Sequence, residues 1–293
     1  MKAVTALMLA LGLILATAPS TRAADSKISV VAAENFYGDV ARQIGGDDVA
    51  VASIMSNPDQ DPHLFETTPS TVRRIAAAQV VILNGADYDP WMDKLLKASP
   101  KSGRTAIVVA DLVGKKAGDN PHLWYEPGTM SAAAKALAEA FAKTDPAHKD
   151  GYAARLKTFL ASLKSIDNKI AAIRGKFAGT TVTASEPVFG YMAGALGLKM
   201  RNERFQLSIM NDTEPSAHDV AAFQDDLNTH NVRVMFYNKQ ASNKAVQTLV
   251  DLAHASKIPV VGVTETEPPN LSYQEWMLGE LNDTEKALAG SPS

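Results

Sequence analysis

The feature that most constrains this chain is a long stretch without a strand. From about Pro146 to Phe177 no short apolar run is bounded by turn residues, and Leu156, Leu160, Leu163, Ile166, Ile170 and Ile173 recur at helical spacing. The spacing predicts one helix of roughly 25 to 30 residues, about 40 Å long at ~1.5 Å per residue. A helix of that length in a globular protein needs a structural reason. On each side of it, short apolar runs alternate with helical patterns. Before it, residues 28–33, 49–55, 80–85 and 105–112 read as strands, and 36–46, 68–79, 89–99 and 129–143 as helices. After it, residues 180–184, 232–238 and 258–263 read as strands, and 188–197, 216–230, 243–256 and 272–288 as helices. Strands alternating with helices argue for parallel sheets covered on both faces. The expected fold class is therefore α/β: two α/β lobes with mainly parallel sheets, joined by one long backbone helix. The expected boundaries are 24–145 for the first lobe, 146–178 for the linking helix and 179–293 for the second lobe.

The chain opens with Lys2, an uncharged apolar stretch from Ala6 to Thr17, and Thr21-Arg22-Ala23. This order reads as a cleavable secretory signal over residues 1–23. The apolar run is too short to span the roughly 30 Å of a bilayer core. There is no cysteine, which excludes disulfides, thiolate metal ligands and a lipid-modified cysteine. The expectation is a periplasmic protein without a lipid anchor. Removing the leader leaves 270 residues and shifts the formal charge from −3 to −5, because Lys2 and Arg22 go and no acid does. That mild acidity gives no support to nucleic-acid binding.

In open α/β sheets, ligands sit beyond the carboxyl ends of the strands. His63 follows the strand at 49–55, His122 follows the one at 105–112, Glu186 the one at 180–184 and Glu265 the one at 258–263. Two candidate metal ligands thus come from each lobe, all at the same topological place. The two histidines sit in matching phrases, "DPHLFETTP" and "NPHLWYEP". Pro62 and Pro121 restrict their own backbone and bias Asp61 and Asn120 away from helix, which holds each imidazole in a stiff loop. A ligand held in place loses less entropy when an ion binds. Trp124, Tyr125 and Phe65 are expected to wall the site. His148, His218, His230 and His254 lie in or at the ends of helices and read as bystanders, with His218 beside Glu214 and Asp219 a distant alternative. Asp225-Asp226 reads as a solvated helix face. Neither an HExxH nor a G-x-S-x-G motif occurs.

At these residues the chain resembles the metal-specific solute-binding proteins of zinc and manganese ABC importers, the TroA-like or ZnuA-like helical-backbone receptors. "DPHLFETTPS" is similar to the family's first histidine motif, "NPHLWYEP" to its second and "SEPVFGYMAGALGLK" to its third, where the ligand is a histidine in many zinc receptors and a glutamate in many manganese ones. The resemblance covers essentially the whole chain beyond the leader and implies His63, His122 and Glu186 as ligands. The fourth position falls in "TETEPP", on Glu265 or Glu267. Counting from Ile258-Pro259 favours Glu267; Glu265 is preferred because it leaves the strand first, before Pro268-Pro269 turns the chain. Only "VGKKAGD" (113–119) separates the fourth strand from the second motif, where many dedicated zinc receptors carry a histidine-rich loop.

The resemblance implies a non-enzymatic receptor that takes Zn2+ or Mn2+, with Fe2+ also compatible. It would deliver the ion to an inner-membrane permease served by an ATPase subunit, and would act as a monomer. Two other classes fit a secreted α/β protein with clustered histidines. One is a zinc-dependent hydrolase, which would keep an open metal position for water. The other is a cell-adhesion protein with an incidental metal.

Overall fold

The computed structural model describes residues 27–58, 65–241 and 243–290; the expected leader, 1–23, lies outside them. The chain begins with β1 (Ile28–Glu34), α1 (Asn35–Gly45) and β2 (Val49–Met55), followed by α2 (Pro69–Ala77), β3 (Val80–Leu83) and α3 (Pro90–Ala98). Then come β4 (Thr105–Val108), α4 (Val109–Leu112) and α5 (Thr129–Thr144). The four strands form a parallel sheet in the order β2-β1-β3-β4. Parallel pairing follows from the sequence, because each strand is left through a helix or long loop that carries the chain back to the same edge. All four residues of β3 are fully buried, as expected of a strand covered on both faces. Local signals set the helix ends. Thr68 caps α2, its hydroxyl accepting from Thr71 N at 3.3 Å, with Pro69 in the first turn.

The long helical stretch starts with a 3-10 turn at Pro146–His148 and runs through α6 (Lys149–Ser162) and α7 (Lys164–Phe177). Leu163, between them, keeps right-handed helical angles, so the direction carries on past a local irregularity. Tyr152, Phe159, Ile166, Ile170 and Ile173 form its buried stripe. Arg155 ties α6 to the end of α1, donating to Ile44 O at 2.7 Å and to Asp48 Oδ2 at 2.7 Å.

Beyond it lie β5 (Thr181–Ala184), α8 (Gly190–Ala195), β6 (Lys199–Arg201), α9 (Glu203–Met210) and α10 (Ala217–Asn228). β7 (Met235–Asn238), α11 (Lys244–Ala255), β8 (Val260–Val263) and α12 (Tyr273–Ala289) complete the chain. The second sheet is parallel in the order β6-β5-β7-β8. Its order repeats that of the first. In each lobe the strand order reverses between the first and third strands, and the crevice there is the usual ligand position. α12 starts with a reciprocal capping box between Ser272 and Glu275. It packs against α7, where Glu285 pairs with Lys169 at 2.6 Å and Lys176 at 2.8 Å.

The apolar core does not stop at the lobe boundary. One continuous cluster includes Val30, Phe36 and Trp124 from the first sheet's side and Phe189, Phe236 and Trp276 from the second's. Phe36 and Trp124 have ring centroids 4.6 Å apart, and Tyr125 and Trp276 5.8 Å apart. Each such pair contributes about 0.5–1.5 kcal/mol beyond its burial. Lobes that share a core and a long helix cannot swing widely without exposing that surface.

Three elements depart from the sequence reading. The strand expected over 105–112 ends at Val108. Ala110 N donates to Asn84 O at 2.9 Å, and the chain turns into α4. β6 and α9 were not anticipated, since three residues of strand carry little periodicity. With them goes a correction: Asp226 is not on a solvated face. It is 1% exposed and accepts from Arg201 Nε at 2.7 Å, Asn202 Nδ2 at 3.0 Å and Asn231 Nδ2 at 3.3 Å. Only Asp225 faces solvent.

Candidate metal centre

His122 is fully buried at the interlobe cleft. Its loop is held at three points. Asn84 Nδ2 donates to Pro121 O at 2.8 Å, Tyr191 OH donates to Asn120 O at 2.8 Å, and Asn120 Nδ2 donates to Pro187 O at 2.8 Å. The last two bonds cross from the first lobe to the segment that carries Glu186. Asn120 also sets the imidazole. Its Oδ1 accepts from the His122 backbone N at 3.1 Å and lies 2.6 Å from His122 Nδ1. An oxygen that already accepts a backbone N–H must accept the second bond too, so the network places a proton on Nδ1. Nε2 is then the nitrogen turned to the cleft. The ring is walled by Trp124 at 5.3 Å and Tyr88 at 6.1 Å between centroids, so Trp124 lies where the sequence reading put it.

Nε2 meets Glu265 Oε2 at 3.3 Å, from the opposite lobe. Both groups are fully buried. A nitrogen lone pair and a carboxylate oxygen at that distance repel unless positive charge lies between them, either a proton or a cation. The same oxygen accepts the Tyr88 hydroxyl at 3.1 Å. Burial, and then the charge of Glu265, holds that hydroxyl well above its usual pKa, so it stays a donor. Glu265 Oε1 accepts from Asn238 Nδ2 at 2.7 Å. The same amide nitrogen donates to Glu186 Oε2, and Glu186 is 3% exposed. His122, Glu265 and Glu186 are thus brought into one buried network, the third linked through Asn238. Among the described residues, no three His, Asp or Glu side chains are spaced to hold a metal ion as they stand. His63 falls in 59–64 and lies outside the described residues.

Glu267 goes elsewhere. Its backbone N donates to Asn35 Oδ1 at 3.0 Å, and its carbonyl accepts from Asn35 Nδ2 at 2.7 Å. Burial, with the charge of Asp39 adding to it, pushes its carboxyl up to about 9. Of the two glutamates left open by the sequence, Glu265 is the one against His122. The bystander histidines are remote: His218, His230 and His254 are exposed on or beside helices, and His148 pairs with Asp145 at 2.6 Å.

Sequence reasoning missed several residues of this network. Asn238 ends β7, and its neighbour Gln240 shapes the Glu265 loop. Gln240 Oε1 accepts from Glu265 N at 2.6 Å and Thr266 N at 3.1 Å. Glu34 ends β1 and is fully buried, with Asp89 beside it. Asp89 accepts from Asn84 N at 2.7 Å and Gly85 N at 2.8 Å. Burial, and then Asp89, holds Glu34 well above the usual carboxylate range, and burial raises Asp89 to about 6. All four residues lie at or just after strand carboxyl ends, so the rule that found the histidines would have reached them had amides and buried acids been admitted.

A family model described as zinc-uptake complex component A, periplasmic (ZnuA), matches residues 30–287. The manganese-binding lipoprotein MntA of Bacillus subtilis (strain 168) is 25% identical, over 78% of this chain and 77% of its own. The iron ABC transporter substrate-binding lipoprotein MtsA of Streptococcus pyogenes serotype M1 is 23% identical over 94% of each. Among solved structures, the periplasmic zinc binding protein TroA from Treponema pallidum superposes with a TM-score of 0.77 at 20% identity, covering 90% of this chain and 99% of that one. Two parallel sheets joined by a long helix is thus a TroA-like fold.

Proposed function

This chain belongs to the ZnuA/TroA family of metal-binding solute-binding proteins of ABC transporters, and on that premise we propose that it captures a divalent transition-metal ion between its lobes and hands it to an inner-membrane permease. The family is one of extracytoplasmic, non-enzymatic transport proteins, so the metal is cargo and no bond is made or broken in it. The ligand set we propose is His63, His122, Glu186 and Glu265. One observation carries the reading: a lobe-one imidazole nitrogen and a lobe-two carboxylate oxygen face each other at 3.3 Å in a fully buried cleft. A cation shared by the two groups converts that repulsion into two bonds.

Mixed nitrogen and oxygen ligation suits Zn2+, and with wider coordination Mn2+ or Fe2+. Relatives named for zinc, manganese and iron are consistent with that range. Two carboxylates offset the charge of a dication, which lowers the cost of burying it. The shared core and the Asn120–Pro187 bridge keep the lobes close, so loading and release are small rearrangements of loops rather than a wide hinge. Docking on the permease, powered by a separate ATPase subunit, would open these loops. We place the receptor in the periplasm, where the leader-like order of residues 1–23 would send it. The test is thermal unfolding of chelator-stripped protein with Zn2+ or Mn2+ added. At 100-fold over Kd the transition gains about 2.7 kcal/mol; no gain with either ion overturns the proposal.

A further inference from the structure

We propose that Glu280, as a neutral carboxylic acid, is a positioning residue of the metal site: its O–H and its carbonyl oxygen lock the loop that carries Glu265 to the loop that carries His122. The inference rests on the reading above that these two residues bind the ion.

Glu280 lies on the buried face of α12, in the second lobe, and is 8% exposed. Its Oε1 accepts from Trp276 Nε1 at 2.8 Å and from Thr264 N at 3.3 Å. Its Oε2 lies 2.7 Å from the hydroxyl of Tyr125, in the first lobe. That hydroxyl is also 2.8 Å from Thr264 O. Thr264 is the residue before Glu265, and Tyr125 is the third after His122. One carboxyl therefore meets both ligand loops, and Tyr125 and Glu280 together take both backbone polar atoms of Thr264. Tyr273, at the start of the same helix, adds a second tie by donating to Trp124 O at 2.8 Å.

Counting protons places one on Glu280. The Tyr125 oxygen has two short contacts, and a phenol has one proton to give. Thr264 O is a carbonyl and can only accept, so the Tyr125 proton serves it. The contact with Oε2 then needs a second proton, which the acid supplies. Oε1, facing two N–H donors, is the carbonyl oxygen, and Oε2 carries the hydroxyl. The bonds close a ring in one direction: Glu280 O–H to Tyr125, Tyr125 to Thr264 O, and Thr264 N back to Glu280. The surroundings favour the neutral form. Burial pushes the carboxyl up to about 7, with Lys239, after β7, acting the other way. Burial, and then Glu280, holds the Tyr125 and Tyr273 hydroxyls above their ordinary value. An ionised Glu280 would leave one of the two short contacts without a proton, where an unmade bond is costly.

The experiment compares Glu280→Gln, Glu280→Leu and Tyr125→Phe. A glutamine keeps a donor at the Oε2 position and an acceptor at Oε1, so it can replace a neutral acid but not a carboxylate. Infrared spectra of the metal-free native protein, taken against Glu280→Gln in slightly acid buffer, should show the carbonyl stretch of a protonated carboxyl. Zn2+ affinity, read by competition with a chelator, should stay near native in Glu280→Gln. It should fall by about 10- to 100-fold in Glu280→Leu and Tyr125→Phe, as changes behind the ligands do. Tyr125→Phe keeps its ring in the core and carries the test if Glu280→Leu does not fold. A carboxylate band in place of the protonated one overturns the inference. So does a loss in Glu280→Gln as large as that in Tyr125→Phe, or native affinity in Tyr125→Phe. A native protein that shows the protonated band but binds no ion overturns the functional reading instead, and not the proton on Glu280.

Discussion

The Tyr88 hydroxyl of the first lobe donates to Glu265 Oε2 of the second at 3.1 Å, on the oxygen that faces His122 Nε2. The bond fixes a buried carboxylate against an imidazole without a metal ligand being used to do it. Tyr88→Phe removes the donor and leaves the rest of the ring in place. Loss of one partner from a buried acceptor costs about 1–3 kcal/mol. The chelated variant should unfold at a lower temperature than the chelated native protein, as measured by calorimetry. Equal transitions would mean that the bond contributes nothing.

Asn120 serves two lobes at once, donating to Pro187 O and accepting from His122. Asn120→Ala should release the His122 ring and loosen the Glu186 segment together. Metal affinity should drop by about 10- to 100-fold, read by competitive titration against a chelator. Native affinity in this variant would mean that the imidazole is oriented by its packing alone.

Glu34 is buried with Asp89 and its carboxyl is held well above its ordinary 4.5. Above about pH 4.5 the unfolded chain has lost that proton while the folded chain keeps it. Stability contributed by Glu34 is therefore complete below the unfolded value and declines as pH rises toward the folded one. Asp89 adds the same sign between its ordinary 3.8 and about 6. Glu34→Gln removes the larger part. Its melting temperature should exceed the native one by more at about pH 8 than at about pH 5. Parallel profiles for the two proteins would contradict an acid held neutral by burial.

Asp226 measures what a missed element costs. It is buried and takes three hydrogen bonds, from Arg201, Asn202 and Asn231, whereas Glu285 lies on the surface between two lysines. Asp226→Ala should destabilise by about 1–3 kcal/mol, and Glu285→Ala by less than about 1 kcal/mol. Chemical denaturation of both variants would check the order; a larger loss at Glu285 would contradict it.

The fold was legible because its signals are local and repeated. Strand–helix alternation and the apolar spacing from Leu156 to Ile173 both lie within short windows. The three-residue strand β6 was not, since three residues cannot show a period, and Asp226 was misjudged with it. At the site, His122, Glu186 and Glu265 stand out as candidates because metal-type side chains at strand ends are few, and the structure sets them in one buried network. The choice of Glu265 over Glu267 could not be made from spacing. It depends on Asn35, 232 positions away in the chain, which binds the Glu267 backbone. Asn238, Tyr88 and Asn120 were invisible as partners for the same reason: an amide or a phenol gains meaning only from what the fold sets beside it.

The central claim is that one ion is shared by imidazole from the first lobe and carboxylate from the second. X-ray absorption at the zinc edge of the Zn2+-loaded protein tests it most directly. The account predicts one ion per chain with a nitrogen and oxygen shell near 2.0–2.1 Å, as is typical for imidazole and carboxylate on zinc, and a histidine scattering signature that weakens in His122→Ala. A shell of oxygen alone, or a spectrum that His122→Ala leaves unchanged, would contradict it.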